Sequence, residues 1–228
     1  MYKWKNIDLS TKGIIVEKKP TISKGKKKIE TFDIPGRNGF LSIDTGVYQP
    51  FEVSLECHID ANSFDLDEVK ELLDGYGILQ LDNDRQYTAI VNNAIPFEVV
   101  ARKFRSFIIQ FLCNPIAEST TETTYAVGNS PQTLTINDTY TTIYPTIEIK
   151  ATTTMNVTIN DTNFKLDIPD TTKTYILDCK NQVVATTDGI NVAHFMSGDF
   201  PTLKKGNNTI TYTGTKTIFN IKYRKTYL

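Results

Sequence analysis

The chain has 228 residues, with 25 basic and 26 acidic side chains and a formal net charge of −1. This length can bury a substantial core and favours one or two domains. The neutral balance argues against a protein that grips nucleic acid through its phosphates, and no apolar run reaches the length that spans a membrane.

A cluster of lysines comes first among the features along the chain. It consists of Lys24, Lys26, Lys27 and Lys28. These side chains could contact DNA or an acidic patch on a neighbouring subunit. We favour a solvated hairpin tip, because so short a basic run in a neutral chain gives little affinity for phosphate.

A turn motif follows at Pro35, Gly36, Arg37 and Gly39. Proline fixes φ and glycine accepts positive φ, so residues 33–46 are predicted to form a strand, a turn and a second strand. Two interpretations of the motif stay open. It could be a subunit contact in which Arg37 pairs with a carboxylate of a neighbour, or a turn that only joins two strands.

The next elements are a strand and one short helix. Residues 53–59 alternate between apolar and polar side chains, which predicts a half-buried strand. Asp65 and Glu68 have the spacing of a capping box, and the apolar positions after them predict a helix of about ten residues that stops near Gly75.

Strands resume after this helix. They are predicted at 78–81, 87–91, 97–100 and 106–113. The last of these is apolar on both faces, so we expect it to lie centrally between two layers. The first region is therefore predicted to be a β-sandwich with one packed helix.

Threonine divides the chain into two regions. About a quarter of the residues from 120 onward are threonine, against roughly one in twenty-five before it, a shift that is typical of a domain boundary. Pro115 and the polar tract after it are expected to bury little. We therefore predict one domain at residues 1–117 and a second at residues 118–228.

The second region is predicted to be all-β. Residues 155–159 and 164–168 alternate cleanly, and the polar link between them suits a hairpin. Further strands are predicted at 175–177, 183–185, 209–212 and 217–223. Short strands at regular spacing favour a sandwich or jelly roll.

The sequence offers no catalytic, cofactor-binding or metal-ligating set. The two histidines, His58 and His194, lie far apart, and no nucleophile motif accompanies them. The three cysteines are widely spaced, and Cys57 and Cys113, which lie in apolar strand patterns, are expected to be buried free thiols. Most aromatic residues are expected to pack in cores or at edges rather than to bind sugar. We therefore expect no enzyme activity and no cofactor.

Several motifs, taken in order, give the chain a family resemblance. They are Ile34–Gly39, Asp44–Tyr48, Phe111–Pro115, Phe200–Leu203 and Gly206–Asn207 with Ile210. In this order and at this length they resemble the distal tail protein of long-tailed bacteriophages. Each motif alone is common, and the resemblance rests on the order in which all of them follow one another along the chain.

The resemblance implies a fold and a function. It implies a mainly β protein whose N-terminal domain forms a hexameric ring and whose C-terminal sandwich is galectin-like. The implied protein belongs to the virion tail tip, where it joins the tail tube protein to the tail-tip hub protein and lets DNA pass unbound. Receptor-binding proteins are further candidate partners, and no membrane is involved.

Two rival functions belong to other classes. The first is a carbohydrate-binding adhesion module that recognises the host cell wall. The second is a wall hydrolase, which the absence of a recognisable catalytic set disfavours. We expect the protein to be made in the host cytoplasm, because its first residues show no secretory signal.

Overall fold

A computed structural model describes residues 2–36, 38–60, 63–99 and 104–228. The chain forms two compact units that divide between Thr120 and Thr121, with the last residue, Leu228, assigned to the first. The predicted mainly β fold with one α-helix is confirmed. No helix within the described ranges is long and apolar enough to cross a bilayer.

The first unit contains eleven named strands and one α-helix in its described residues. These are β1 Lys3–Trp4, β2 Ile7–Asp8, β3 Ile15–Val16, β4 Lys27–Asp33, β5 Phe40–Tyr48, β6 Phe51–Asp60, α1 Leu66–Leu72, β7 Tyr76–Gln80, β8 Arg85–Val91, β9 Glu98–Val99, β10 Phe104–Cys113 and β11 Ala117–Ser119. A 3-10 turn at Leu9–Lys12 precedes β3.

One sheet dominates this unit. Its strands follow the order β2-β1-β7-β8-β10-β6-β3, with β9 paired to β10 and β11 paired to β8. Strand β6 buries alternate residues as predicted, including Val53, Leu55 and Ile59. Its neighbour β10 buries Phe107 and Ile109 on the same face. Period-two alternation therefore places one face of each strand in the core.

Strand β10 is central in the sheet, but it is not covered on both sides. It pairs with β6 along its whole length and with β8 at its end. On the face away from the core, Ile108 is 46% exposed. Among the described residues, the expected second layer therefore does not cover Ile108, and the outer side chains beside it on the strand are half-buried.

The helix is fixed to the core by Trp4. Asp65 caps the helix by accepting a hydrogen bond from the Asp67 backbone N–H at 2.9 Å. The Trp4 indole Nε1–H donates to the Leu72 carbonyl at 2.9 Å, and its ring lies 4.9 Å from that of Phe111. A helix of seven residues depends on such contacts, because it is marginal in water alone.

The second unit is built from short strands throughout. They are β12 Thr123–Ala126, β13 Gln132–Ile136, β14 Thr146–Ala151, β15 Met155–Ile159, β16 Thr162–Leu166, β17 Tyr175–Asp178, β18 Val183–Thr186, β19 Met196–Gly198, β20 Gly206–Thr213, β21 Lys216–Tyr223 and β22 Thr226–Tyr227.

Ten of these strands form two antiparallel sheets. One has the order β12-β21-β14-β17-β18 and the other the order β13-β20-β15-β16-β19. Both sheets contribute to a single apolar core, with Ile147 and Leu177 from the first sheet and Val157 and Phe164 from the second. The predicted sandwich is confirmed, and so is the β15–β16 hairpin, whose turn has Asn160 at φ +54°.

The polar tract after Pro115 was expected to bury little, and Ala117, which is buried, is an exception. Residues 117–119 form β11, in which Glu118 pairs with Gln86 of the first unit. Residues 123–126 form β12, an edge strand whose side chains are mostly exposed. Threonine suits such an edge because it is β-branched and tolerates solvent.

A buried asparagine explains the motif at residues 206–210. Asn208 is fully buried, and its Oδ1 accepts hydrogen bonds from the Lys204 backbone N–H at 2.8 Å and from the Asn160 amide at 3.0 Å. Its own amide donates to the carbonyls of Leu134, Lys204 and Gly206. This one side chain therefore joins three segments of the sandwich.

Candidate assembly surfaces

Strands β4 and β5 form a hairpin that pairs with no other strand of the described chain. All residues of β4 are exposed, and so are most residues of β5. Seven large apolar side chains are exposed on the hairpin: Ile29, Phe32, Ile34, Phe40, Leu41, Ile43 and Val47. An isolated two-stranded hairpin is marginally stable in water, so this exposure suggests a surface that binds a partner.

The register separates the hairpin into two faces. Phe32 pairs with Leu41, and Glu30 pairs with Ile43, which places the three apolar side chains on one face. We call Phe32, Leu41 and Ile43 the apolar hairpin face. The opposite face carries the pairs Thr31–Ser42, Ile29–Asp44 and Asp33–Phe40, so it mixes polar and apolar side chains.

The predicted turn motif lies at the tip of this hairpin. Pro35 and Gly36 lie in the turn, and Gly36 and Gly39 have φ values of +79° and +90°. A Cβ at either glycine would meet nothing within 4 Å, so the positive φ rather than space requires glycine. Arg37 lies outside the described residues. Its role in a subunit contact stays a prediction.

The lysine cluster lies at the other end of the hairpin. Lys27 pairs with Tyr48 in the ladder, and its ammonium forms an ion pair with Asp44. Lys24 and Lys27 both lie over the Tyr48 ring, at 5.6 and 5.9 Å. The prediction of a hairpin tip is therefore wrong, because these lysines lie at the open end of the hairpin, opposite to the Pro35 turn.

A second apolar surface lies on the main sheet, on the side away from the core. Tyr76 pairs with Ile90, and Ile90 pairs with Leu112, so the three side chains form a row across β7, β8 and β10. Tyr76 is 75% exposed. We call Tyr76, Ile90, Leu112 and Ile108 the open sheet face. A cavity of about 230 Å³ lies in this surface, and Pro50 also lines it.

The described residues hold no group of three or more side chains suited to bind a metal ion. His58 Nδ1 lies 3.3 Å from a Glu17 carboxylate oxygen and its ring packs near Phe104. His194 lies beside Phe195 in a 3-10 turn of the other unit. The two histidines therefore belong to separate local contacts.

The three cysteines are buried free thiols, as predicted for Cys57 and Cys113. Burial raises the pKa of Cys57, Cys113 and Cys179 to about 12 each. Thiols react as thiolates, and a pKa this high leaves almost none at neutral pH. None of the three is therefore placed to act as a nucleophile.

We expect the folded protein to resist a thiol reagent at pH 8, with all three cysteines reacting once it is unfolded. Because each thiol has a higher pKa in the folded than in the unfolded protein, the folded state with protonated thiols is the favoured one below pH 9. This contribution to the free energy of unfolding is lost as the pH rises towards 12. The absorbance of the thiolate that the reagent releases, with and without denaturant, measures how many cysteines react. Rapid modification of one thiol in the folded protein would contradict it.

Most aromatic side chains pack as predicted. Trp4, Tyr175 and Tyr223 are buried, whereas Tyr140 and Tyr144 are 47% and 55% exposed. If the second unit bound a sugar, exposed aromatic rings such as these two would be the ones available to stack on it.

The sequence predictions include neither apolar surface. Residues 106–113 are apolar on both faces, and this pattern predicts a second layer within the chain instead. The signal was present there, since Ile108 and Leu112 alternate with the core residues. The apolar residues on both sides of the Pro35 turn were a further signal for the hairpin.

Comparison with known proteins supports the fold. No protein-family model matches the chain, and no curated protein matches it. The chain is similar to the crystal structure of SPP1 Dit (gp 19.1), described as a paradigm of the hub adsorption apparatus in phages that infect Gram-positive bacteria. The match covers 100% of this chain and 98% of that chain, with a TM-score of 0.74 and 15% identity. The resemblance predicted from the motifs is thus confirmed at the level of the fold.

Proposed function

We propose that this protein is the distal tail hub of a long-tailed phage or of a prophage-derived particle. Six copies form a ring that joins the tail tube to the tail tip, and DNA passes through its channel. The observation that carries the proposal is the fold match to SPP1 Dit, which extends over the whole of this chain.

The exposed apolar surfaces of the first unit support an assembling protein. The hairpin and the open sheet face both present large side chains to water, among them Phe40 at 66% and Tyr76 at 75% exposure. Exposed apolar area of this kind is typical of surfaces that are covered in an assembly. The ring contacts therefore belong to the first unit in this proposal.

The charge of the chain supports a channel that does not hold DNA. With a formal net charge of −1, the protein lacks the basic excess that phosphate binding requires. The proposed partners are the tail tube protein, the tail-tip hub protein and receptor-binding proteins. The proposed location is the tail tip of the virion.

The test of this proposal is the mass of the purified protein in solution. We expect light scattering behind size exclusion to give six times the mass of 25.7 kDa for one chain, and negative-stain images to show six-fold rings with a central channel. A closed ring is expected because repeated heterologous contacts close when their rotation permits it.

A strict monomer at high concentration, in the presence of purified tail tube protein as well, would overturn the ring. A carbohydrate-binding module would then be the leading function, and binding of host cell-wall glycans by the full chain would test it. Clearing of host walls in a zymogram would instead point to a hydrolase.

A further inference from the structure

We propose that the apolar hairpin face of one copy docks on the open sheet face of the next copy, with Phe32 entering the cavity beside Tyr76. This inference rests on the proposed ring and deepens it, because it names the two surfaces that meet. The occupant of the open sheet face is thus a second copy of this chain.

The hairpin has the properties of a docking arm. Phe32, Leu41 and Ile43 are each 49% exposed and contiguous on one face. No third strand supports the hairpin among the described residues. A hairpin of this kind gains order from a surface that covers its apolar side, because two strands alone bury too little.

The open sheet face offers the complementary surface. It is a row of apolar side chains, Tyr76, Ile90 and Leu112, with a cavity between them. An aromatic side chain in a central pocket, surrounded by smaller apolar contacts, is the usual centre of a protein interface. Phe32 is the aromatic residue of the apolar hairpin face, so we assign it to the cavity.

Two carboxylates and two lysines lie beside the open sheet face. Glu52 pairs with Leu112 and Glu56 with Ile108 in the ladder, so these exposed carboxylates flank the open sheet face. Lys18 and Lys19 of the same chain lie beside them. Within the described ranges, however, neither glutamate forms an ion pair with these lysines.

The hairpin supplies cations that could meet these carboxylates. Lys26 and Lys28 are exposed at its open end and have no carboxylate partner among the described residues. Opposite charges at the rim of an apolar contact fix its register and exclude wrong pairings. Glu30 lies on the apolar hairpin face, so the charge match involves only the open end of the hairpin, where it favours the same occupant as the apolar surfaces do.

The two surfaces differ, and both belong to the same chain. A contact between different surfaces is heterologous, so every copy both gives and receives a hairpin. Such a contact has no two-fold axis, and it can be repeated from each copy to the next. The copies form a closed ring when the rotation between neighbours divides a full turn evenly, as it does in the proposed hexamer.

The test is a cross-link between two distinguishable copies. Leu41→Cys and Tyr76→Cys are made in separate chains with tags of different size, co-expressed and treated with a short bismaleimide. The three native cysteines are buried and stay silent. We expect a heterodimer band, at least roughly tenfold stronger than with Ser42→Cys in place of Leu41→Cys, because docking raises the effective concentration.

Ser42→Cys is the matched control, because Ser42 is on the same strand but on the opposite face. A second pair, Ile43→Cys with Ile108→Cys, repeats the test if one variant fails to fold. If rings form but the cross-links do not, the proposed docking is wrong and the proposed ring is unaffected. The same holds if Leu41→Cys and Ser42→Cys give equal cross-link yields. Absence of rings in the unsubstituted protein would overturn the proposed function itself.

Discussion

Replacing Asn208 by Ala is expected to lower the free energy of unfolding of the second unit by about 3 kcal/mol or more. The side chain is fully buried and joins Asn160, Leu134 and the turn at residues 204–206. Alanine would remove those hydrogen bonds and leave the Lys204 N–H without its acceptor. A buried polar group that loses its partner keeps the full free-energy cost of desolvation, because water does not reach it to form a replacement hydrogen bond.

The neighbouring residue provides the control. Asn207 is exposed, and its side chain accepts one hydrogen bond from Thr135 Oγ1 at 2.9 Å. We expect Asn207→Ala to cost about 1 kcal/mol or less, because water replaces an exposed partner. Equal losses from the two substitutions would contradict a special role for burial at Asn208.

Two probes separate the units in this measurement. Trp4 is the only tryptophan and lies in the first unit, so its fluorescence reports on that unit. Denaturant unfolding followed by far-ultraviolet circular dichroism reports on both units. We expect Asn208→Ala to shift the part of the circular dichroism change that the tryptophan signal does not follow.

The double substitution Phe32→Glu with Leu41→Glu is expected to convert the ring to monomers. It places two carboxylates in direct cross-strand contact on the apolar hairpin face. Burying them against a neighbour would cost several kcal/mol at every contact of the ring, because an unpaired charge loses its hydration. The measurement is the solution mass at the concentration where the unsubstituted protein is fully assembled.

Substitutions on the other face of the hairpin separate this effect from damage to the fold. Thr31→Glu with Ser42→Glu adds the same charge at a directly paired position. We expect this variant to assemble as the unsubstituted protein does. Since neither strand pairs with another strand in the part of the chain that the structure describes, circular dichroism should be unchanged in both variants. Loss of assembly in both, or in neither, would show that the apolar face is not the contact.

Local patterns predicted local structure well. The alternation at 53–59 became β6, and Asp65 caps the helix that its spacing predicted. The turn at Pro35 is the tip of a hairpin, as the proline and glycine pattern indicated. These features depend on residues a few positions apart, so they can be predicted from the local sequence.

The sites were predicted less completely. The lysine cluster was expected at a hairpin tip, yet Lys27 lies at the open end because its partner Tyr48 is twenty-one residues away. Asn208 stood within a quoted motif, but nothing in the motif shows that Leu134 and Asn160 converge on it. Such contacts join distant segments, and their presence depends on strand order.

The sequence alone determined the mainly β class, the change in composition near residue 120 and the positions of most strands. Period-two alternation and turn chemistry act over a few residues, and both survive in any arrangement of the strands. Only the tertiary structure decided that β4 and β5 pair with no third strand among the described residues, and that Ile108 of β10 stays exposed while Leu112 is half-buried. Whether an apolar face is covered depends on which elements pack against it, and that is a property of long-range packing rather than of local pattern.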